Sequence, residues 1–363
     1  MNVLLHAAVA GCVGLLARQL GGRATVGAAL VLLHPHAAEL VANVTARTDL
    51  LAALGVTGAL VLRRKRPWLA AAALLAGCLC KEVALAGLPL WWALDAWEGR
   101  RPAWLPGLVA VSAALGLRLL VLGLSAGDGG SLDLLGAAAS SGWALADVVL
   151  PLPAGPWPVA RSPGPGVAVA GLFLLLSALS IRRGWKAPLL LTGWVLLAWA
   201  PMAGWLPVEV RPSRALLYLP LLGVGLVGSL VQRRTPALVL VLGMMAVGHG
   251  WVASRWSDPL TLWTWGVQRN AQEPLCHVNL GRAHAELGDF ESAEVAYSQA
   301  AALAFEQQDA TWFVPAATAL GRLALERGEP EAARVFFQDA VKVGGEEAPE
   351  VREAREALQR LPL

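Results

Sequence analysis

Apolar runs separated by short polar segments fill the chain from Met1 to Ser254. Each run approaches the roughly 20 residues that a helix needs to cross a bilayer, so the pattern predicts about ten membrane-spanning helices. The segment "LLGAAASSGWALADVVLPLP" is also apolar, and we interpret it as an amphipathic helix on the outer membrane surface. The ten predicted spans lie at residues 3–17, 25–38, 49–62, 67–80, 83–97, 104–123, 167–181, 187–203, 214–231 and 236–252.

After Ser254 the pattern changes to that of soluble amphipathic helices. Two segments repeat the same order of a Leu-Gly pair, a small residue, a Gly turn, an aromatic residue and a final Ala. This order is typical of tetratricopeptide (TPR) repeats. The pairs Gly281 and Gly321, Gly288 and Gly328, and Ala300 and Ala340 are each 40 positions apart.

These patterns together predict an all-α protein with two domains. A membrane helix bundle is expected over residues 1–253, followed by a linker over 254–272. Two TPR repeats and a capping helix are expected over 273–363.

The composition supports this division. Hydrophobic residues make up 56% of the chain and charged residues only 15%, and the mean hydropathy is +0.55. The net charge of +3 is the sum of two unlike parts. Residues up to Ser254 include 19 Lys and Arg and 9 Asp and Glu, whereas the later residues include 10 Lys and Arg and 17 Asp and Glu. We therefore expect a membrane domain and an acidic soluble domain, and no nucleic-acid partner.

Clusters of Arg and Lys predict the orientation in the membrane. By the positive-inside rule they mark cytoplasmic loops, and successive clusters bracket an even number of predicted spans. The rule places the amino terminus, "HPHAAELVANVTARTD", "CKEV", residues 125–166, "GWLPVEVRPSR" and everything after Ser254 on the outer side. Met1 begins directly in an apolar run, so we do not expect a removable signal peptide. The clusters are Arg18 with Arg23, "RRKR" at 63–66, "RR" at 100–101, "RRGWK" at 182–186 and "RR" at 233–234.

The first outer loop gathers ionisable residues, which are costly near lipid and are therefore functional candidates. His36, Glu39, Arg47 and Asp49 could cap helix ends and pair with one another, or could line an outward-facing active site. A metal site from His34, His36 and Glu39 would lack a fourth ligand.

Basic residues form a second group of candidates on the predicted outer side. Lys81 could pair with Glu82, or could face a lipid phosphate. Arg118 could snorkel to the interface or match the geometry of a phosphate, and Arg211 and Arg214 enter the ninth span from the same side. Their convergence on one leaflet suggests an anionic lipid substrate. The four cysteines have no paired spacing and are expected to be packing residues.

The first 55 residues, with "NVLLH", "LHPHAAELVA" and "RTDLL", resemble the transmembrane and tetratricopeptide-repeat-containing O-mannosyltransferases and their bacterial relatives. The "KE" turn with "LPL", the arginine of "RLLVLG", "LYLP" and the carboxyl-terminal repeats follow in the same order. The resemblance covers essentially the whole chain. It implies a GT-C glycosyltransferase fold in which a mannose-like sugar moves from a polyprenyl-phosphate carrier to a hydroxyl acceptor.

The resemblance also implies roles for particular residues. The basic set would hold the carrier phosphate, and Glu39 or Asp49 would line the sugar or acceptor pocket. Two features depart from the family: Arg214 and Ala215 stand where a Glu-Arg pair is usual, and the chain starts at the family's second span. The first outer loop, with the acidic residue expected to act as base, would then be missing, leaving a weakly active or inactive chain. The motif residues are His36, Glu39, Arg47, Asp49, Lys81, Glu82 and Tyr218.

The expected partners are a lipid-linked sugar as donor and a protein or peptide at the repeats, in a bacterial inner membrane with the repeats periplasmic or extracellular. The sequence does not decide whether a divalent metal is required. The main alternative is a non-catalytic membrane protein that binds a partner through its repeats. A transporter is disfavoured, because the spans show no internal repeat and no matching pair of broken helices.

Overall fold

The computed structural model describes residues 1–122, 133–150, 161–184, 186–203, 214–230, 236–345 and 348–361. All the regular elements in these residues are helices, which confirms the predicted all-α class. The described residues form two compact units, one up to Ser254 and one from Arg255 onward.

Unit 1 contains twelve α-helices. Several begin with proline in the first turn, where its missing N–H breaks no helical hydrogen bond, and α9 ends at Gly184, whose φ of 70° favours glycine. The helices are α1 Asn2–Gln19, α2 Ala24–Leu32, α3 Pro35–Ala42, α4 Arg47–Leu62, α5 Pro67–Cys80, α6 Gly87–Trp97, α7 Trp104–Leu122, α8 Leu134–Val149, α9 Pro163–Arg183, α10 Lys186–Trp199, α11 Tyr218–Ser229 and α12 Pro236–Arg255.

A helix lies at each of the ten predicted apolar runs. Within the described residues, five helical segments are long and apolar enough to cross a membrane: α1, α4 with the turn before it, α7, α9 and α12. The pair α2 and α3 would make a sixth span, bent by 62°. The protein therefore has the helices of a membrane protein, although several are shorter than the predicted spans.

The helix α8 lies where the sequence predicted a surface helix. It packs against α9 so closely that a Cβ added at Gly142 would lie 1.7 Å from the carbonyl oxygen of Gly166. Its buried face consists of small and apolar residues such as Ala139 and Leu145. The glycines thus allow two backbones to meet.

Unit 2 contains two helix pairs whose internal contacts repeat 40 residues apart. Gly281 faces the ring of Tyr297, and Gly321 faces the ring of Phe337. Gly288 and Gly328 both adopt a positive φ, 77° and 76°, in the turn between paired helices. The unit is therefore an internal helical repeat. Its helices are α13 Pro259–Arg269, α14 Pro274–Glu286, α15 Phe290–Glu306, α16 Ala310–Glu326, α17 Pro330–Val343 and α18 Pro349–Arg360.

We expect Gly281→Ala to loosen the first helix pair, because the added Cβ would lie 2.7 Å from Cδ1 of Tyr297. Overpacking of this kind costs about 1–3 kcal/mol. Hydrogen exchange of the full chain should show faster exchange in α14 and α15. Gly345→Ala is the matched control, since a Cβ there meets nothing within 4 Å; equal exchange in both variants would contradict the packing.

The four cysteines are free thiols. Cys12, Cys78 and Cys80 are half-buried in unit 1, and Cys276 is buried in α14. Burial, with a smaller contribution from Glu273, raises the pKa of the Cys276 thiol to about 12. Such a thiol is inert near neutral pH.

Candidate functional site

Buried charged side chains connect several helix ends at one end of unit 1. Arg63 at the end of α4 bonds through Nε to Asp95 Oδ1 at 3.2 Å and also pairs with Glu98. Its Nη1 donates to Gln19 Oε1 at 3.2 Å, and the indole of Trp91 donates to Asp95 Oδ2 at 3.0 Å. We call this the basic end of the unit.

The same end includes the start of α2 and the end of α11, because the Arg23 N–H donates to the Ser229 carbonyl at 2.8 Å. The sequence patterns assigned Arg23 and Arg63 only a role in membrane orientation. In the structure, the Arg63 side chain is fully buried and has two carboxylate partners. Hydrophobic periodicity carries no signal for such pairing, since it depends on which helices become neighbours.

Three helices that begin or end at the basic end are short. At 1.5 Å per residue, α2 with 9 residues is about 13 Å long, α6 with 11 is about 16 Å and α11 with 12 is about 18 Å. A bilayer core is about 30 Å thick. These helices stop well short of a full crossing.

Beyond the ends of the short helices, much of the backbone is not regular α-helix. The helix α3 and four 3₁₀ turns lie there, and these turns span Val44–Ala46, Glu82–Ala86, Ala200–Met202 and Arg214–Leu217. The second turn contacts the third, and the fourth contacts α3. At membrane depth, non-helical backbone is tolerated only where protein buries it or where it lines a polar cavity. This arrangement is the first structural indication of a functional site.

Buried polar side chains occupy the same region, which we call the histidine end. Burying ionisable groups in a membrane protein is costly and commonly marks function. Those that are at most 8% exposed are Asn2, His6, His34, His36, Glu39 and Asp49.

Two of the histidines cap α8. Nε2 of His34 lies 3.1 Å from the Val148 carbonyl, and Nε2 of His36 lies 3.1 Å from the Asp147 carbonyl. Since a carbonyl only accepts, both nitrogens donate, and they satisfy carbonyls that the last helical turn leaves without partners. The two imidazoles stack with centroids 5.4 Å apart. His249 of α12 reaches the carbonyl of His34 at 3.2 Å, so three elements meet at the "HPH" break.

An ion pair joins α4 to the residue after α5. Nζ of Lys81 lies 2.7 Å from Oδ1 and 2.8 Å from Oδ2 of Asp49. The Asp49 side chain is 5% exposed and that of Lys81 is 23% exposed. Lys81 is therefore the more exposed partner of the pair. The sequence left open whether Lys81 pairs with Glu82; in the structure Lys81 pairs with Asp49, and Glu82 pairs with Arg118.

The Glu82 carboxylate pairs with Nη1 of Arg118 at 3.4 Å, and both side chains are about half exposed. An exposed pair of this length contributes little to stability. Arg118 therefore remains available to an anionic ligand, and it pairs with the residue that directly follows Lys81.

Tyr218 and His6 form a buried hydrogen bond between α11 and α1. The Tyr218 hydroxyl lies 2.7 Å from Nδ1 of His6, and Nε2 of His6 lies 3.5 Å from the Leu32 carbonyl. That carbonyl can only accept, so Nε2 donates and Nδ1 accepts the tyrosine proton. Tyr218 is 1% exposed and thus acts on the site through His6.

Two polar atoms at the histidine end are buried without a hydrogen bond: Oδ1 of Asn2 and Nε of Arg47. Asn2 donates through Nδ2 to the carbonyls of Leu40 and Asn43, which fixes the orientation of its amide. Buried groups of this kind are uncommon in folded proteins. In the described residues, Nη1 of Arg23, Nε1 of Trp92 and Nε1 of Trp256 are buried in the same way, so such atoms do not by themselves mark a binding site.

The structure thus brings His36, Glu39, Asp49, Lys81 and Tyr218 to one end of the unit, with Glu82 and Arg118 beside them. Arg47 begins α4 at the same end. Arg214 begins a 3₁₀ turn that contacts α3, but its side chain lies outside the described residues, as does all of Arg211.

In the described part of the chain, no three His, Cys, Asp or Glu residues are grouped so as to hold a metal ion. His34 and His36 instead use their ring nitrogens on α8.

No protein-family model, curated protein or solved structure matches the chain. The function is therefore argued from the site itself.

Sequence reasoning missed several residues of the histidine end. Asn2 and His6 belong to "NVLLH", but they were used only for the resemblance; their spacing of four on one helix face was the signal. His249 was a lone histidine within the last apolar run, where any ionisable residue is notable. Asp147 and Arg161, which pair at 2.8 Å beside α8, had no detectable signal, because they are brought together by folding.

Proposed function

We propose that the protein is an integral-membrane glycosyltransferase that moves a mannose-like sugar from a polyprenyl-phosphate carrier to a hydroxyl of a protein or another acceptor. The observation that carries the proposal is the histidine end itself. There, the partly exposed side chain of Lys81 and the exposed side chain of Arg118 lie beside buried carboxylates, where short helices end.

Lys81 and Arg118 would bind the phosphate of the carrier. Arg118 presents a planar donor fork that suits phosphate oxygens, and Lys81 supplies a compact charge. Asp49 accepts both short contacts from Lys81, so we assign it to holding that ammonium in place. The buried His36 and Tyr218 would position the side chains of the histidine end. His36 would do so through α8, and Tyr218 through His6.

Attack by an acceptor hydroxyl requires a base, because the oxygen must lose its proton as it attacks the anomeric carbon. Two buried carboxylates lie at the histidine end, Glu39 and Asp49, and we assign the base to one of them; Asp49 also holds the Lys81 ammonium. The bond that forms joins the acceptor oxygen to the sugar, the bond that breaks joins the sugar to the carrier phosphate, and the proton passes to the carboxylate.

We further propose a fold of about ten spans, with the short helices completing crossings together with their 3₁₀ turns, and a TPR identity for unit 2. The placement of basic clusters supports a bacterial inner membrane with the histidine end and unit 2 on the periplasmic side. Unit 2 would then bind the acceptor protein or another subunit.

A second candidate function is partner binding without catalysis. It is favoured by a groove of about 470 Å³ in unit 2, lined by residues of α13, α14 and α15 that include His277, His284 and Glu291. A chain of this kind would keep the lipid site only for anchoring or sensing.

The two candidates separate in a transfer assay. Purified full chain in bilayer nanodiscs, given a labelled polyprenyl-phosphate mannose and a Ser/Thr-rich protein, should move label to the protein. We expect Arg118→Ala to lower the rate by roughly tenfold, the effect of one lost charge-assisted contact. Arg66→Ala, which changes an exposed arginine after α4, should leave it unchanged. Carrier binding without transfer would support the second candidate, and neither binding nor transfer would overturn both.

A further inference from the structure

An apolar cleft of about 180 Å³ lies between α6 and α10. Leu90, Leu94 and Trp97 line it from α6, and Leu190, Gly193 and Leu197 line it from α10. Apart from indole nitrogens, the lining residues that the structure describes carry no polar side-chain atom. Such a cleft in a membrane protein accommodates hydrocarbon rather than water.

The cleft runs between the two ends of the unit. Trp97 directly precedes Glu98, a partner of Arg63 at the basic end. Leu90 lies near the start of α6, just after the 3₁₀ turn Glu82–Ala86, and that turn contacts both α10 and the turn at its end. The end of the cleft at Leu90, which we call its upper part, therefore lies next to the segment that begins with Lys81.

The charges at this upper part suit one kind of ligand. Lys81 directly precedes the Glu82–Ala86 turn, and Arg118 pairs with Glu82 of that turn. A cationic pair above an apolar cleft matches an amphiphile with an anionic head and a hydrocarbon chain. A single apolar cavity of about 150 Å³ takes up benzene, so the cleft has room for about one five-carbon isoprene unit at its full depth.

We propose that the α6–α10 cleft holds the isoprene unit of the polyprenyl carrier that lies next to its phosphate. This inference rests on the proposed function, in that it assumes a polyprenyl phosphate bound at Lys81 and Arg118. It adds the place where the carrier's hydrocarbon is recognised, and so how the protein distinguishes this carrier from phospholipids that have the same phosphate.

Gly193 gives a direct test, because a Cβ added there meets nothing within 4 Å. Gly193→Phe should fill the cleft without moving the backbone. Gly243→Phe is the matched control: it makes the same change at an exposed position of α12 where a Cβ also meets nothing. Binding is measured in nanodiscs with two probes, undecaprenyl phosphate and phosphatidic acid.

We expect Gly193→Phe to weaken undecaprenyl-phosphate binding by roughly tenfold or more, the loss from excluding a buried hydrocarbon unit. Phosphatidic-acid binding should stay at the wild-type level, and Gly243→Phe should change neither. Equal loss with both probes would overturn the inference, because an ordinary acyl chain would then occupy the cleft. No loss with either probe would overturn it as well.

These binding measurements distinguish a failure of this inference from a failure of the proposed function. If Arg118→Ala weakens carrier binding while Gly193→Phe does not, the cleft is not the chain site and the proposed function stands. If the wild-type chain binds no polyprenyl phosphate, both fail. Should Gly193→Phe not fold, a photoreactive isoprenoid phosphate bound to the wild type should label peptides of α6 or α10, and labelling confined to other helices would overturn the inference.

Discussion

Replacing Lys81 with Ala should abolish measurable binding of polyprenyl phosphate and destabilise unit 1. The ammonium makes both contacts to the Asp49 carboxylate, which is 5% exposed. Removing one partner of a buried pair leaves an uncompensated charge and costs about 3–5 kcal/mol; the partial exposure of Lys81 places the expected loss at the lower limit. Thermal unfolding in detergent and lipid binding in nanodiscs measure the two effects.

The double variant Lys81→Ala with Asp49→Asn separates these effects. With the carboxylate neutralised, the stability should recover by most of the loss, because no buried charge remains. Binding should not recover, since the phosphate still lacks its cation. Recovery of both would show that Lys81 only compensates Asp49 and that the phosphate binds elsewhere.

Replacing Arg63 with Ala should have the largest effect on stability in unit 1. Its fully buried side chain bonds to Asp95 and Glu98, and the substitution would leave both carboxylates short of a partner. The expected loss is about 3–5 kcal/mol. Because Arg63 ties the ends of α1, α4 and α6, carrier binding at the opposite end should weaken as well.

Arg66→Ala is the control for this substitution. Arg66 belongs to the same "RRKR" cluster but is exposed, so its loss should change the unfolding midpoint little. Equal midpoints for the Arg63 and Arg66 variants would contradict the buried network and leave the cluster with a role in orientation alone.

Much of the fold follows from the sequence, because hydrophobic periodicity determines where helices form. A helix lies at each of the ten apolar runs, and the pairing of Gly281 with Tyr297 is repeated by Gly321 with Phe337. Helix length was harder to predict. The run at 25–38 was predicted as one span, yet the helix breaks at His34 and Pro35, because proline cannot continue the ladder of hydrogen bonds from the preceding turn.

The candidate site followed from the sequence only in part. Ionisable residues in apolar surroundings identified Glu39, Asp49, Lys81 and Arg118. Their partners could not be predicted, since Asp49 meets Lys81 and not a neighbour in sequence. Such pairs depend on how helix ends line up across the bundle, and that alignment depends on helix lengths that the apolar pattern does not define.

The most direct test of the account is photo-crosslinking of a lipid-linked sugar to the wild-type chain. A polyprenyl-phosphate mannose with a photoreactive group beside its phosphate is bound in nanodiscs, irradiated and mapped by mass spectrometry. We expect label in the segments that hold Glu39, Asp49 and Lys81, and loss of label when excess undecaprenyl phosphate competes. Label confined to the basic end around Arg63, or label unaffected by the competitor, would contradict a carrier site at the histidine end.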